Sequence, residues 1–248
     1  MEGKLTAVQV LLKHRADIHA QTKTSDTPIH LASFTGNTDV IELLLDQGAE
    51  LEAQNSDQNT PLHLAVCQGK RDAVQVLLKH RARHHVREED SWTPLHQASF
   101  YGHSEIIELL LGPGAEPEAR DREQDTALHL AARQGMFSAV QRLLEHGAIV
   151  YVRNKSCRTP FHQASFYGFP KIVQLLLEHG ADADVQDDEH ATSLHLALDN
   201  GENEVARLLL EHGVNVHIQN KNGCTPFDIA SAKGNQEMME LLCTHMSA

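Results

Sequence analysis

Eighteen histidines and four cysteines stand among the 248 residues. Both types bind zinc when four ligands converge, so their spacing decides what they can do. His30, His63, His96, His129, His162 and His195 recur at intervals of 33 residues. His14, His80, His146, His179, His212 and His245 keep the same register with two places skipped. Equivalent places in stacked helical units lie about 10 Å apart, too far to share one metal. His80, His84 and His85 remain as a local cluster, with no cysteine near to complete a tetrahedral set. They read as a solvated turn, and no metal is assigned.

Catalytic arrangements fare no better. The chain has no phosphate-cradling glycine loop, no H-E-x-x-H and no G-x-S-x-G, the spacings that place a cofactor, a metal base or a nucleophile. The acids Asp187-Asp188-Glu189 read as solvated surface on a turn. The sequence therefore predicts a non-enzyme without a cofactor. A formal net charge of −13 opposes nucleic acid, whose phosphates want Lys and Arg, and anionic membrane surfaces likewise. Cys67, Cys157, Cys224 and Cys243 occupy four different places in the 33-residue frame. Cys157 and Cys224 would stand roughly 20 Å apart by helix stacking, beyond the ~7 Å that a disulfide allows. Four reduced thiols predict a cytoplasmic or nuclear protein. No apolar run reaches the roughly 18 residues of a membrane span, and Met1-Glu2-Gly3-Lys4 leads into an amphipathic helix rather than a signal peptide. Without a secretory signal, the acceptor pattern Asn154-Lys155-Ser156 is discounted.

The elements behind these spacings are repetitive. Thr93-Pro94-Leu95-His96-Gln97-Ala98-Ser99-Phe100-Tyr101-Gly102 returns at Thr159-Pro160-Phe161-His162-Gln163-Ala164-Ser165-Phe166-Tyr167-Gly168. The opening threonine falls at 27, 60, 93, 126, 159, 192 and 225, without insertion or deletion. A strict period of this length marks stacked repeats. Thr is a good N-cap, and Pro fits the first helical position. Leu62, Leu64 and Ala65 form the apolar side of a short first helix. Glycine follows nine residues after each threonine, where a helix ends in a left-handed residue. A second helix such as 104–111, with Ile106, Ile107, Leu109, Leu110 and Leu111, closes at Gly48, Gly114, Gly147, Gly180 or Gly213. Residues 5–14 match a second helix whose first helix is missing, which leaves one apolar flank without a neighbour.

This pattern, T-P-L-H-x-A, a glycine after the first helix and L-L-x-x-G-A after the second, resembles the ankyrin repeat. The resemblance covers nearly the whole chain and implies an all-α solenoid of helix-turn-helix units joined by hairpin-like turns. It divides residues 1–248 into a partial repeat at 1–22, six full repeats at 23–220 and a capping repeat at 221–248. It also implies a concave face, lined by turns and first helices, that binds other proteins. The chain departs from the pattern at Arg15 and Arg81, which replace the second glycine, at Ala127 and Ser193, which replace proline, and at Asp228, which replaces histidine. With no following repeat to contact, that last histidine is dispensable. Met238, Met239, Leu241 and Leu242 are expected to pack inward.

Candidate binding residues come from positions that the repeat leaves free. Phe34-Thr35, Phe100-Tyr101 and Phe166-Tyr167 alternate with Cys67-Gln68, Arg133-Gln134 and Asp199-Asn200, a double period of 66 residues. Trp92, Phe100, Tyr101, Arg133, Arg158, Phe166 and Tyr167 are assigned to partner binding, because aromatics and arginine anchor protein interfaces. Burial of Phe100 and Phe166 between repeats is the competing role. The expected partner is a protein or peptide with acidic and aromatic residues, held by a monomer. The alternative is a regulatory or targeting arm of a larger enzyme or signalling protein. The bare half repeat is read as the trimmed end of a longer array, the other reading being an end that frays or meets a partner.

Overall fold

The computed structural model describes residues 2–112 and 116–246. Gly114, expected to close a second helix, lies outside the described residues. Among those described, fifteen helices form and no strand. Seven first helices open at the recurring threonine: α2 (Pro28–Thr35), α4 (Pro61–Cys67), α6 (Pro94–Phe100), α8 (Ala127–Arg133), α10 (Pro160–Phe166), α12 (Ser193–Asn200) and α14 (Pro226–Ala232). Eight second helices are α1 (Glu2–Lys13), α3 (Thr38–Asp46), α5 (Arg71–Lys79), α7 (Ser104–Leu110), α9 (Phe137–Glu145), α11 (Pro170–Glu178), α13 (Asn203–Glu211) and α15 (Gln236–Met246). The chain divides into two compact units, Met1–Arg122 and Glu123–Ala248. Each is an all-α repeat solenoid. A first helix packs on its own second helix and on the next first helix, as α2 does on α3 and α4, and α10 on α11 and α12.

The cores are aliphatic. Ile41, Val74 and Ile107 in one unit, and Val140, Val173 and Ala206 in the other, are fully buried at one register position. The second helices bury a narrower stripe than the apolar count suggests. In α7, Ile106, Ile107 and Leu110 are inside, while Leu109 and Leu111 stay half exposed. In α15, only Met238 and Leu242, four residues apart on one face, are buried; Met239 and Leu241 are not.

Turn chemistry is equally regular. The glycine nine residues after each threonine has φ between 64° and 76°. At Gly135 it also makes room, since an added Cβ would lie 2.5 Å from the Phe169 ring. Arg81 holds φ 68° where Gly48, Gly147, Gly180 and Gly213 stand in other repeats. A side chain in that conformation costs about 1 kcal/mol. Arg81→Gly should raise the unfolding free energy by a part of that amount, the rest being offset by glycine's freedom when unfolded, read as a higher urea midpoint; an unchanged or lower midpoint contradicts the register.

Candidate partner-binding surface

The surface rests on the turn that precedes each first helix. Residues 22, 55, 88, 121, 154, 187 and 220 all carry a side-chain acceptor. Asn55 Oδ1 accepts from the N–H of Asp57 and Asn59 at 3.1 and 3.0 Å. Asn154 serves Ser156 and Arg158 in the same way, and Asp187 serves Glu189 and Ala191. These bonds satisfy backbone groups that have no ladder partner. Successive tips are then tied together, as when Ser56 N–H donates to the Thr24 carbonyl at 3.0 Å and Asp188 N–H to that of Ser156 at 3.1 Å. Asn154 also donates Nδ2 to Asp125 at 2.7 Å, so both ends of this side chain are engaged.

The motif histidines lock each turn to its helix. Thr27 N–H and the Thr27 hydroxyl both meet His30 Nδ1, at 3.1 and 2.8 Å. A backbone N–H only donates, so Nδ1 is unprotonated and Nε2 carries the proton. Nε2 then donates to the Asn59 carbonyl of the next repeat at 3.0 Å. His162 repeats this with Thr159 and the Val185 carbonyl, and His195 with Thr192 and the Cys224 carbonyl. In His63 the threonine side of the bridge is intact, but Nε2 misses bonding geometry with the Trp92 carbonyl it faces. Burial holds His63 and His162 far below the ordinary imidazole range, at about 4. Asp228 keeps the local half of the bridge, accepting from the Thr225 N–H and hydroxyl at 2.8 and 2.7 Å.

The assigned binding residues form separate groups in the two units. In the first, the Trp92 and Phe100 rings lie 5.1 Å apart, and Tyr101 meets Phe100 edge-on at 5.1 Å. Trp92 Nε1 donates to Asp121 at 3.0 Å. The Tyr101 hydroxyl bonds to Cys67, which with burial raises its pKa above the usual phenol range. In the second, Tyr167 meets Phe166 edge-on at 4.9 Å. The Arg158 guanidinium sits 5.2 Å over the Phe166 ring and donates Nε to Asp187 at 3.1 Å. Arg133 pairs with Asp125 at 3.3 Å. Phe100 and Phe166 are half-buried, whereas Tyr101 and Tyr167 are 45% and 46% exposed.

Two features differ from the sequence reading. Asp187 is not solvated surface; it is buried and holds both the turn and Arg158. Trp92 and Arg158, each one residue before the threonine, donate to a turn carboxylate 29 residues on, and Asp125 at the same place accepts from Asn154 Nδ2 29 residues on. That fold role was missed, although the periodic row of acceptors signals it. None of the four cysteines forms a disulfide. Among the described residues, no group of three or more ligating side chains converges on a metal position, and no helix is long and apolar enough to cross a membrane.

Known proteins share this arrangement. The family model described as ankyrin repeats in three copies matches residues 1–88, 53–121, 95–187 and 161–248. Among solved structures, the ankyrin repeat domain of Bcl-3, described as a unique member of the IkappaB protein family, is similar with a TM-score of 0.78 and 31% identity. That match covers 88% of this chain and 98% of the other. No curated protein matches the sequence.

Proposed function

The chain belongs to the ankyrin-repeat family, and on that premise we propose that it is a non-catalytic protein-interaction module whose first-helix faces hold a partner. One observation carries this reading. Tyr101 and Tyr167 occupy the same register position, each about half exposed and each fixed edge-on against the phenylalanine before it. Rings that are already oriented lose little entropy on binding and make good interface anchors. Trp92 and Phe100 extend the first group, and Arg133, Arg158 and Phe166 the second.

The partner is a protein or peptide that offers aromatic side chains, with an acidic group as the second element. Both arginines already neutralise buried carboxylates, Asp125 and Asp187. The aromatic element therefore contributes more, and the acidic one acts through whatever donors those guanidinium groups leave over. The module works as a monomer in the cytoplasm or nucleus.

The tyrosines test this. Partners recovered with the tagged chain are identified by mass spectrometry and then titrated. Tyr101→Ala and Tyr167→Ala together should weaken binding by about tenfold or more with an unchanged helical circular-dichroism spectrum. Undiminished binding by the double variant overturns the reading.

A further inference from the structure

The turn that follows α5 departs in charge from its equivalents. The place of Arg83 is acidic at Asp17, Glu50, Glu116 and Asp182. Arg81 stands where five repeats have glycine, and it keeps a side chain there despite its φ of 68°. His84 replaces a residue that is apolar in every other repeat, Val150 and Val216 among them, both buried. The repeat fold therefore does not call for these groups. Elsewhere in the same unit arginines are neutralised, as Arg71 is by Glu105 and Arg122 by Asp90. Arg81 and Arg83 enter no ion pair among the described residues. The Arg83 N–H donates to Glu52 at 2.8 Å, which pins the turn, and the His84 and His85 rings meet edge-on at 5.9 Å.

Together with Leu78 and Leu109, these four side chains line a cavity of about 400 Å³. No acidic residue lines it, in a chain whose formal net charge is −13. The carbonyl end of α5 carries about half a negative charge, which one cation would offset; two guanidinium groups exceed it. We propose that the cavity binds a small phosphate monoester with an apolar body. A guanidinium donates as a planar fork. Two forks and an imidazole N–H exceed what the two oxygens of a carboxylate can use, and they suit the three outer oxygens of a phosphate. Leu78 and Leu109 receive the apolar body. The volume lies near the small end of the range for ligand pockets, about 300–1,000 Å³, so a free small molecule fills it.

The site does not depend on the tyrosine surface, and its test separates the two. The probe is phenyl phosphate, titrated into the full chain by calorimetry. Saturable binding at one site is expected. Inorganic phosphate, which lacks the ring, and benzoate, which lacks the second charge and third oxygen, should each bind about tenfold more weakly. Arg83→Glu, which installs the residue found at positions 50 and 116, should weaken phenyl phosphate by about tenfold or more. Arg81→Gly should do the same while raising the urea midpoint, so lost binding there cannot be lost folding. Partner capture through Tyr101 and Tyr167 should be unaffected by either variant. Absence of saturable binding overturns the proposal, as does binding indifferent to Arg81→Gly and Arg83→Glu. Inorganic phosphate or benzoate binding as tightly as phenyl phosphate also overturns it. So does a phosphotyrosine peptide that binds tenfold tighter than phenyl phosphate, because the occupant would then be a protein segment.

Discussion

On acidification from pH 7 to pH 4 the protein is expected to lose on the order of 6 kcal/mol of folding free energy. The source is the pair His63 and His162. Both are buried with folded pKa values of about 4, against 6.5 when exposed. Each shift corresponds to roughly 3 kcal/mol. Between pH 6.5 and 4 the unfolded chain binds protons at these sites while the folded chain does not. The unfolding free energy therefore falls as pH falls, with full stability above 6.5 and the loss complete below 4. His30 and His195 are lowered in the same direction, again chiefly by burial. Bonding geometry gives an independent reason. Nδ1 accepts from the threonine N–H, and protonation there would set one donor against another. Urea unfolding across this range checks the slope. His63→Gln with His162→Gln should be less stable at neutrality and distinctly flatter with pH. An unchanged slope in that variant assigns the acid sensitivity elsewhere.

Replacing six turn residues by glycine should raise stability by up to about 3 kcal/mol in total. Ser25, Gln58, Ser91, Gln124, Cys157 and His190 all hold φ between 55° and 65°, and the seventh equivalent, Gly223, shows what the backbone prefers. Each non-glycine residue there carries about 1 kcal/mol of strain, partly offset by the greater freedom that glycine has when unfolded. The turns keep their i to i+3 bond, as from Gln58 N–H to the Asn55 carbonyl at 2.9 Å and from His190 N–H to the Asp187 carbonyl at 3.0 Å. These bonds involve backbone alone, so the substitutions leave them in place. The sextuple variant should show a higher urea midpoint with an unchanged m value. A midpoint equal to that of the wild type would mean that these turns relax without cost.

Much of the fold is legible in the sequence because local rules repeat. Threonine followed by proline, and glycine nine residues later, fix where each first helix begins and ends, and both act within a single turn of helix. Arg81 could be read as a strained residue for the same reason. The roles of Trp92, Arg158 and Asp187 were not legible, because their partners sit 29 residues away in the next repeat. Nothing in the residues around Trp92 shows that its Nε1 also donates to Asp121, a bond that adds a fold role to that position. The left-handed turn position was hidden differently: six varied residues occupy it, and only Gly223 carries the usual signature. Tyr101 and Tyr167 were readable as free positions, since the repeat assigns them nothing to hold.

The central claim is that a partner contacts the first helices that carry these tyrosines, α6 in one unit and α10 in the other. A photo-reactive benzoylphenylalanine placed in turn at Tyr101, at Tyr167 and at Gln141, an exposed residue of the second helix α9, reads that contact directly. The account predicts that the captured partner cross-links from positions 101 and 167 and not from 141. Cross-linking from 141 alone would contradict it.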